Sequence, residues 1–159
     1  MVDDTNFNFE FPSMSAFSTW NAGVIQAQVY RNLKKATTKI LKQHDLTMAQ
    51  WFILGKVYDS GKRGIRMTDL AKNVSVTMPY LSKTMAALEK KKMVEKIGVQ
   101  TDRRSSTYHV TTNMAPRVAK IEEMVREDLK ELLFPEITPE ELFTYVKVLF
   151  KLSQIELEQ

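Results

Sequence analysis

The sequence predicts a mostly α-helical fold with one small β-hairpin. Apolar residues recur every three or four positions over most of the chain, which is the period of a helix with one buried face. Two stretches with the spacing Thr-x-x-Gln or Thr-x-x-Glu precede apolar runs, a pattern typical of helix starts. Residues 94–111, VEKIGVQTDRRSSTYHVT, alternate apolar and polar residues on both sides of a charged tip, which predicts two paired strands.

The first long helix is predicted over residues 15–43. Its apolar stripe consists of Phe17, Trp20, Val24, Val29, Leu33, Ile40 and Leu41. At about 1.5 Å per residue the helix is roughly 40 Å long. This is more than the core of a small domain needs, so we expect it to contact a partner chain. Residues 1–14 precede it as an arm with alternating phenylalanines, for which packing on the body, packing on a second subunit and disorder all stay open.

The second helix has a well-marked start. Thr47 and Gln50 have the spacing of a capping box, in which the side chain of each residue bonds the backbone N–H of the other. Leu46 and Trp51 have the spacing of a hydrophobic staple. The helix is predicted to continue to the turn at Ser60 and Gly61.

Two short helices are predicted between the second helix and the hairpin. An extended piece near Ile65 leads into the first, for which Thr68 is the predicted N-cap. Thr77 is the predicted N-cap of the second, and Pro79 falls in its first turn, where a missing N–H costs nothing. The buried face of the second short helix is predicted to be Leu81, Met85 and Leu88. Its end, Lys90–Lys92, is interpreted as a solvated helix terminus.

Two further helices are predicted after the hairpin. The first spans residues 113–134 and stops at Pro135, with an inward face of Val118, Ile121, Val125, Leu129 and Leu132. The second begins at a capping box formed by Thr138 and Glu141. Its apolar stripe is Leu142, Val146, Leu149, Phe150 and Ile155. Because the rest of the chain does not need the stripes of the first and last helices, we expect them to form a dimer interface.

Composition narrows the classes of function. The sequence has no cysteine, which excludes disulfides, thiolate metal sites and cysteine redox sensing, and suits a reducing compartment. No apolar run approaches the roughly 18 residues of a membrane span. The acidic start, MVDDTNFNFEF, does not resemble a signal peptide. We therefore expect a cytoplasmic protein.

The charge is concentrated in the middle of the chain. Residues 62–104 contain eleven Lys or Arg against four Asp or Glu, a net charge of +7. The remaining residues contain twelve against fifteen, a net charge of −3. This distribution fits a polyanion bound by one part of the fold, although an ordinary solvated surface would show it too.

Two short helices followed by a basic hairpin form a winged helix-turn-helix, here flanked by N- and C-terminal dimerisation helices. The predicted regions of one compact domain are an arm at 1–14, a dimerisation helix at 15–45, the winged helix-turn-helix at 46–111 and C-terminal dimerisation helices at 112–159. In such a unit the second short helix enters the major groove of double-stranded DNA, and the hairpin reaches the neighbouring minor groove. That groove is narrow and negative, and arginine enters it more readily than lysine.

Candidate DNA contacts follow from this geometry. The outward residues of the second short helix are Thr77, Met78, Pro79, Tyr80, Ser82 and Lys83. They combine hydrogen-bond donors with apolar groups that fit thymine methyls, although Tyr80 as a cover for the helix start stays open. Arg103 and Arg104 are predicted to enter the minor groove, and Asp102 to brace the wing by pairing with a cation. Arg63 and Arg66 are predicted phosphate contacts.

Residues 46–111 resemble the MarR family of bacterial regulators. The matching stretches are Leu46-Thr47-x-x-Gln50, MTDLAKNVSVTMPYLSKTMAALEKKKMVEK, and Asp102-Arg103-Arg104 closing on Val110-Thr111. The resemblance implies a two-fold dimer that represses transcription by occupying a promoter and is often released by a small aromatic ligand. The chain departs from the family pattern at Lys92, where glycine is usual, and just after Thr111. A positive φ at Lys92 would strain the backbone.

Three further hypotheses concern other partners. A winged helix can dock on protein instead of DNA, but such a module has no use for a cationic tip. An enzyme or zinc site is not expected, because His44 and His109 are the only histidines and no Gly-rich phosphate loop exists. No cofactor or metal is therefore predicted. A pocket for a small aromatic ligand would be lined by Trp20, Val24, Trp51 and Tyr58, which ordinary core or interface packing would also explain.

Overall fold

The computed structural model describes residues 18–98 and 106–155. Its elements in chain order are α1 (Thr19–Gln43), α2 (Met48–Asp59), a 3₁₀ turn (Gly61–Arg63), α3 (Met67–Val74), α4 (Met78–Lys90), β1 (Val94–Ile97), β2 (Thr107–Val110), α5 (Ala115–Leu133) and α6 (Pro139–Ser153). The two strands are antiparallel, with Val94 opposite Val110. The predicted fold class, mostly α with a small β-wing, is confirmed.

The chain divides into two compact units, Met1–Lys34 and Lys35–Gln159, with the boundary inside α1. In the first unit the structure describes residues 18–34, which belong almost entirely to α1. The second contains the rest of α1 and every later element. The domain boundaries given above stay a prediction. Among the described residues, no helix is long and apolar enough to cross a membrane.

The core lies in the second unit, where α2 contributes four buried residues. The predicted inward face of α4 is confirmed, since Leu81, Met85 and Leu88 are all buried. On α5 the residues Val118, Ile121 and Val125 are buried, and Leu129 packs against the core at its edge. The inward placement of Leu132 is wrong. Its side chain is 47% exposed, because α5 extends beyond the elements that cover its first three turns.

Both predicted capping boxes are present. At the start of α2, the Gln50 N–H donates to Thr47 Oγ1 and the Thr47 N–H donates to Gln50 Oε1, each at 3.2 Å. At the start of α6, the Glu141 N–H donates to Thr138 Oγ1 at 3.2 Å, and the Thr138 N–H donates to Glu141 Oε2 at 2.8 Å. Each box satisfies two backbone donors that a helix start otherwise leaves free.

The start of α3 differs from the prediction. The N-cap is Arg66, whose backbone is extended (φ −75°, ψ 151°), and not Thr68, which lies in the first turn. The Arg66 carbonyl accepts the Leu70 N–H at 2.9 Å, and no side chain caps the helix. The reason is tertiary: Ile65 is held extended by pairing with Tyr108, so the chain turns into the helix directly after Arg66.

The end of α4 is a Schellman motif with a lysine at the left-handed position. Lys92 has φ 57°. This backbone conformation favours glycine, which is the usual residue at this position in the MarR family. Its N–H donates to the Glu89 carbonyl at 2.8 Å, and the Met93 N–H donates to the Leu88 carbonyl at 3.0 Å. These are the two bonds of the motif, which usually has glycine in the position of Lys92. The turn is therefore the expected one, and Lys92 is strained within it.

Candidate nucleic-acid interface

One face of α4 is anchored in the core and the other is free. Opposite Leu81, Met85 and Leu88, the exposed residues are Thr77, Met78, Pro79, Tyr80, Ser82, Lys83 and Ala86. The structure thus brings together on one surface all six residues that the sequence predicted as base or phosphate contacts on this helix. Two hydroxyls, a phenol, an ammonium and the apolar groups of Met78 and Pro79 line it.

Thr84 was missed by the sequence reasoning, and the structure places it on the buried side of α4. Its hydroxyl donates to the Tyr80 carbonyl at 3.0 Å, so a polar side chain in the core is satisfied within its own helix. The sequence does indicate its burial, because Thr84 lies three residues after Leu81 and four before Leu88, on the same face of the helix. This bond links the buried side of the helix to the backbone of Tyr80, an exposed residue.

The N-terminal end of α4 suits a negatively charged partner. Thr77 is the N-cap, as predicted, with extended backbone angles (φ −71°, ψ 150°) and no capping bond from its side chain. The first turn contains Pro79 and no acidic residue. Backbone N–H groups and the helix dipole make this end electropositive. The Thr77 hydroxyl lies at this end of the helix, and its predicted contact with DNA stays a prediction.

The hairpin is joined to the segment before α3 by a third short pairing. The Ile65 N–H donates to the Tyr108 carbonyl at 3.1 Å, and the Tyr108 N–H donates to the Ile65 carbonyl at 2.8 Å. Arg63 and Arg66 stand on either side of this bridge in sequence, and both are exposed. The bridge therefore holds the two predicted phosphate contacts at the base of the wing.

Gly64 makes this arrangement sterically possible. Its backbone (φ 65°, ψ 178°) lies in a region that residues with a side chain rarely adopt. A Cβ there would collide with Nε2 of the His109 imidazole. That same nitrogen lies 2.8 Å from Thr107 Oγ1, which fixes the ring against the glycine. His109 is thus part of the wing base.

The predicted wing tip lies outside the described residues. Asp102, Arg103 and Arg104 all belong to it, so their predicted roles stay predictions. What the structure does describe is the base of the wing, the four-residue strands β1 and β2. Gly98, directly after β1, approaches Ser106 so closely that a Cβ would stand 2.7 Å from its Cα. The two strands therefore stay side by side at the end of the sheet.

A groove of about 620 Å³ runs between α2 and α5. Two of the four residues predicted for a ligand pocket, Trp51 and Tyr58, line it. The other two, Trp20 and Val24, belong to the first unit, so the complete predicted pocket stays untested. The remaining lining residues were not predicted from the sequence: Phe52, Gly55, Lys56, Asp59, Val118, Ala119, Glu122, Glu123 and Arg126. Of these, Gly55 leaves space, because a Cβ there would meet nothing within 4 Å.

The last helix presents a large apolar surface. No residue of α6 is buried in the single chain. Its exposed apolar residues are Phe143, Tyr145, Val146, Val148, Leu149, Phe150 and Leu152, and Ile155 follows just after the helix. Phe143 and Phe150 are 71% and 65% exposed. A helix of this composition requires a covering surface.

These features define a winged helix-turn-helix protein of the type that regulates transcription. Residues 35–124, more than half of the chain, match the family Transcriptional regulator SarA/Rot, and the chain belongs to this family. The family is one of regulators and not of enzymes.

Solved structures of MarR-type regulators share the fold, which confirms the resemblance seen in the sequence. The Staphylococcus aureus MepR–DNA complex has a TM-score of 0.69 and 23% identity, covering 87% of this chain and 99% of that one. A mutant of E. coli MarR complexed with operator DNA has a TM-score of 0.71 and 24% identity, covering 86% and 99%. Wild-type E. coli MarR in its apo form has a TM-score of 0.66 and 25% identity, covering 82% and 95%.

Proposed function

We propose that this protein is a homodimeric repressor that binds a pseudopalindromic promoter site in double-stranded DNA. The observation that carries the proposal is the free face of α4, with its donors and apolar groups aligned opposite a fully buried anchor. Two similar folds, MepR and a MarR mutant, have been crystallised with DNA.

The proposed mode of binding places α4 in the major groove. A helix about 10 to 12 Å across fits that groove, which is about 12 Å wide. The N-terminal residues of α4 approach the base edges first, since the helix end is electropositive and free of acidic side chains. Ser82 and Lys83 donate hydrogen bonds, while Pro79 and the Tyr80 ring contact thymine methyls.

The wing supplies the second contact. Arg103 and Arg104 enter the adjacent minor groove, and Asp102 braces the tip by pairing with a cation. Arg63 and Arg66, held at the base by the Ile65–Tyr108 bridge, bind phosphates. Phosphate contacts fix the orientation of α4 without selecting a sequence, so specificity comes from α4 and from the shape of the minor groove.

The dimer is supported by α6. At 100° per residue its apolar side chains, from Phe143 to Leu152, cover roughly two thirds of the helix circumference. A single packing surface needs only about 100°, so α6 fits a position between two neighbours. In the first unit, α1 has exposed apolar residues of its own, among them Trp20, Val24 and Tyr30, which are further candidates for contact with a second copy. Two copies then present two α4 helices to half-sites about 10 to 11 base pairs apart.

Selection of binding sites from random duplexes tests the DNA part of the proposal. We expect a two-fold motif with this half-site spacing and an affinity that falls steeply with salt. Lys83→Ala is expected to relax the motif at one position in each half-site. Lys90→Ala, which removes a lysine from the other end of α4, is the matched control and leaves the motif unchanged. A protein that enriches no duplex at low salt refutes the proposal and favours the protein-docking module.

Sedimentation of the full chain tests the dimer. Phe150→Asp places a charge on the apolar side of α6 and is expected to yield monomers with weak DNA binding. Thr144→Asp, an exposed substitution on the polar side of the same helix, is expected to leave the dimer intact. A wild-type chain that sediments as a monomer at micromolar concentration would contradict the proposal.

Release by a small ligand is a separate part of the proposal, and it rests on the groove between α2 and α5. Its volume of about 620 Å³ is within the range of small-molecule sites, and the aromatic residues Trp51, Phe52 and Tyr58 line it beside five charged residues. A thermal-shift screen of phenolic and other aromatic compounds is expected to find stabilising ligands whose effect disappears when Gly55→Leu fills the groove. A flat response across the panel argues against a ligand-gated regulator.

A further inference from the structure

The three lysines that end α4 do not have the same surroundings. Lys90 and Lys92 are exposed, whereas the Lys91 side chain is only 25% exposed. The interpretation of Lys90–Lys92 as a uniformly solvated terminus is therefore wrong for the middle residue. Lys91 follows the last helical residue and points back toward the junction of α1 and α2, 41 to 46 positions earlier in the sequence.

The Lys91 ammonium has three oxygen neighbours. It donates to the backbone carbonyl of Asp45, lies 3.1 Å from Asp45 Oδ2, and donates to Gln50 Oε1 at 3.2 Å. An ammonium has three N–H donors, so these acceptors use all of them. The carboxylate also offsets its charge. Lys91 is thus engaged by the protein, whereas its neighbours Lys90 and Lys92 are exposed and available to solvent or phosphate.

The acceptors belong to a tightly defined turn. Asp45 has φ 54°, and the Leu46 N–H donates to the Leu41 carbonyl at 2.9 Å, which closes the end of α1. Gln50 Oε1 already accepts the Thr47 N–H in the α2 capping box. One ammonium therefore joins the end of α1, the start of α2 and the end of α4. We call Lys91, Asp45 and Gln50 the Lys91 clamp.

We propose that the Lys91 clamp is a positioning device that fixes the orientation of α4 relative to the end of α1, and thereby sets the half-site spacing that the dimer accepts. This inference rests on the proposed function, in which α1 and α6 form the dimer and α4 enters the major groove. The N-terminal end of α4 meets DNA about 20 Å from Lys91, at 1.5 Å per residue. A small rotation at the clamp is therefore a large displacement at the bases.

Loss of the clamp and loss of a simple stabilising contact are expected to change different measurable quantities. A contact that only stabilises the fold lowers the unfolding temperature and leaves the preferred operator spacing intact. Loss of a positioning contact widens the range of α4 orientations, which weakens binding to the best operator and lessens the penalty for a wrong spacing. Couplings carried by residues that do not contact the ligand are about 0.5 to 2 kcal/mol, or roughly 2- to 30-fold in affinity.

The test measures affinity for the selected operator and for versions with one or two base pairs added or removed between half-sites. We expect Lys91→Met to lower affinity for the best spacing by about 2- to 30-fold. We also expect it to flatten the spacing profile, that is, to reduce the differences in affinity between operators of different half-site spacing. Lys90→Met removes the same charge from the same helix end, and is expected to shift all spacings equally. Lys91→Arg, which keeps charge and donors, is expected to restore most of the wild-type profile.

The outcomes separate the two proposals. Profiles of Lys91→Met and Lys90→Met that are parallel to each other overturn the clamp, as does a wild-type protein that binds DNA without any spacing preference. Wild-type protein that binds no duplex overturns the proposed function itself. If Lys91→Met does not fold, Asp45→Asn replaces it, since asparagine tolerates positive φ. A smaller flattening of the profile is then expected, and an unchanged profile overturns the clamp.

Discussion

The strained backbone at Lys92 predicts that glycine stabilises the protein at this position. Lys92 has φ 57° and lies at the left-handed position of the Schellman motif that ends α4. A residue with a Cβ in this conformation costs about 1 to 2 kcal/mol relative to glycine. Against this, glycine raises the conformational entropy of the unfolded chain, which costs about 0.4 to 1 kcal/mol. The balance favours glycine by about 1 kcal/mol.

The comparison that isolates this effect is Lys92→Gly against Lys92→Ala. Both variants lose the ammonium near the helix end, so the difference between them reflects the backbone alone. The bonds of the turn stay available, because Thr111 Oγ1 donates to the carbonyl of residue 92 at 2.9 Å and the other bonds also use backbone atoms. The same pair at Lys90, the last residue of α4, should show the opposite order, because a right-handed helical backbone gains nothing from glycine, which also raises the entropy of the unfolded chain.

Urea unfolding followed by far-UV circular dichroism measures these differences, with all variants at one protein concentration because a dimer is stabilised by mass action. For a chain of this size, 1 kcal/mol corresponds to about 2 to 4 °C in the unfolding temperature. If alanine is as stable as glycine at position 92, or if the order is the same at positions 90 and 92, the inferred strain is absent.

Three other substitutions, the first with a matched control, test separate parts of the fold. Gly64→Ala is expected to cost at least about 2 kcal/mol of unfolding free energy, because the new Cβ meets the His109 ring in a backbone conformation unfavourable for alanine. Gly61→Ala, where φ is 54° and the space is open, should cost only about 1 kcal/mol, and equal losses would contradict the role of the ring. Thr138→Ala removes one side of the α6 capping box and should lower stability by about 1 kcal/mol in urea unfolding; no change would mean that α6 does not unfold with the core. Burial raises the pKa of the Tyr108 phenol above 10.0, so its contribution to stability is present below about pH 10 and lost as the pH rises through the folded-state pKa. Tyr108→Phe should therefore flatten the decline of the unfolding free energy between about pH 9 and pH 11, and an unchanged slope would show that this phenol is not responsible.

Features that depend on residues close in sequence were predicted well. The capping boxes at Thr47 and Thr138 need partners only three positions away, and both are formed. The outward face of α4 followed from removing the residues at core spacing, and the structure has the same face. The DNA contacts assigned to it remain predictions, since no partner molecule tests them.

Features that depend on distant residues were missed or misplaced. Thr68 has the right chemistry for an N-cap, but the pairing of Ile65 with Tyr108, 43 positions later, starts the helix two residues earlier, with Arg66 as the N-cap. The role of Lys91 depends on Asp45 and Gln50, and three consecutive lysines give no sign that the middle one is different. Periodicity alone also could not show that α5 extends past its neighbours at Leu132.

The uncovered surface of α6 implies that regulation by this protein depends on its concentration in the cell. If pairing of two chains covers this helix, the quantity of assembled regulator grows with the square of protomer concentration when subunits are scarce. A modest decrease in synthesis then lowers the concentration of DNA-binding dimers more than proportionally. The remaining monomers expose the apolar surface of α6 to solvent. Monomers of this kind are substrates for proteases and chaperones. Their degradation would make the concentration of dimers respond more steeply to a change in synthesis.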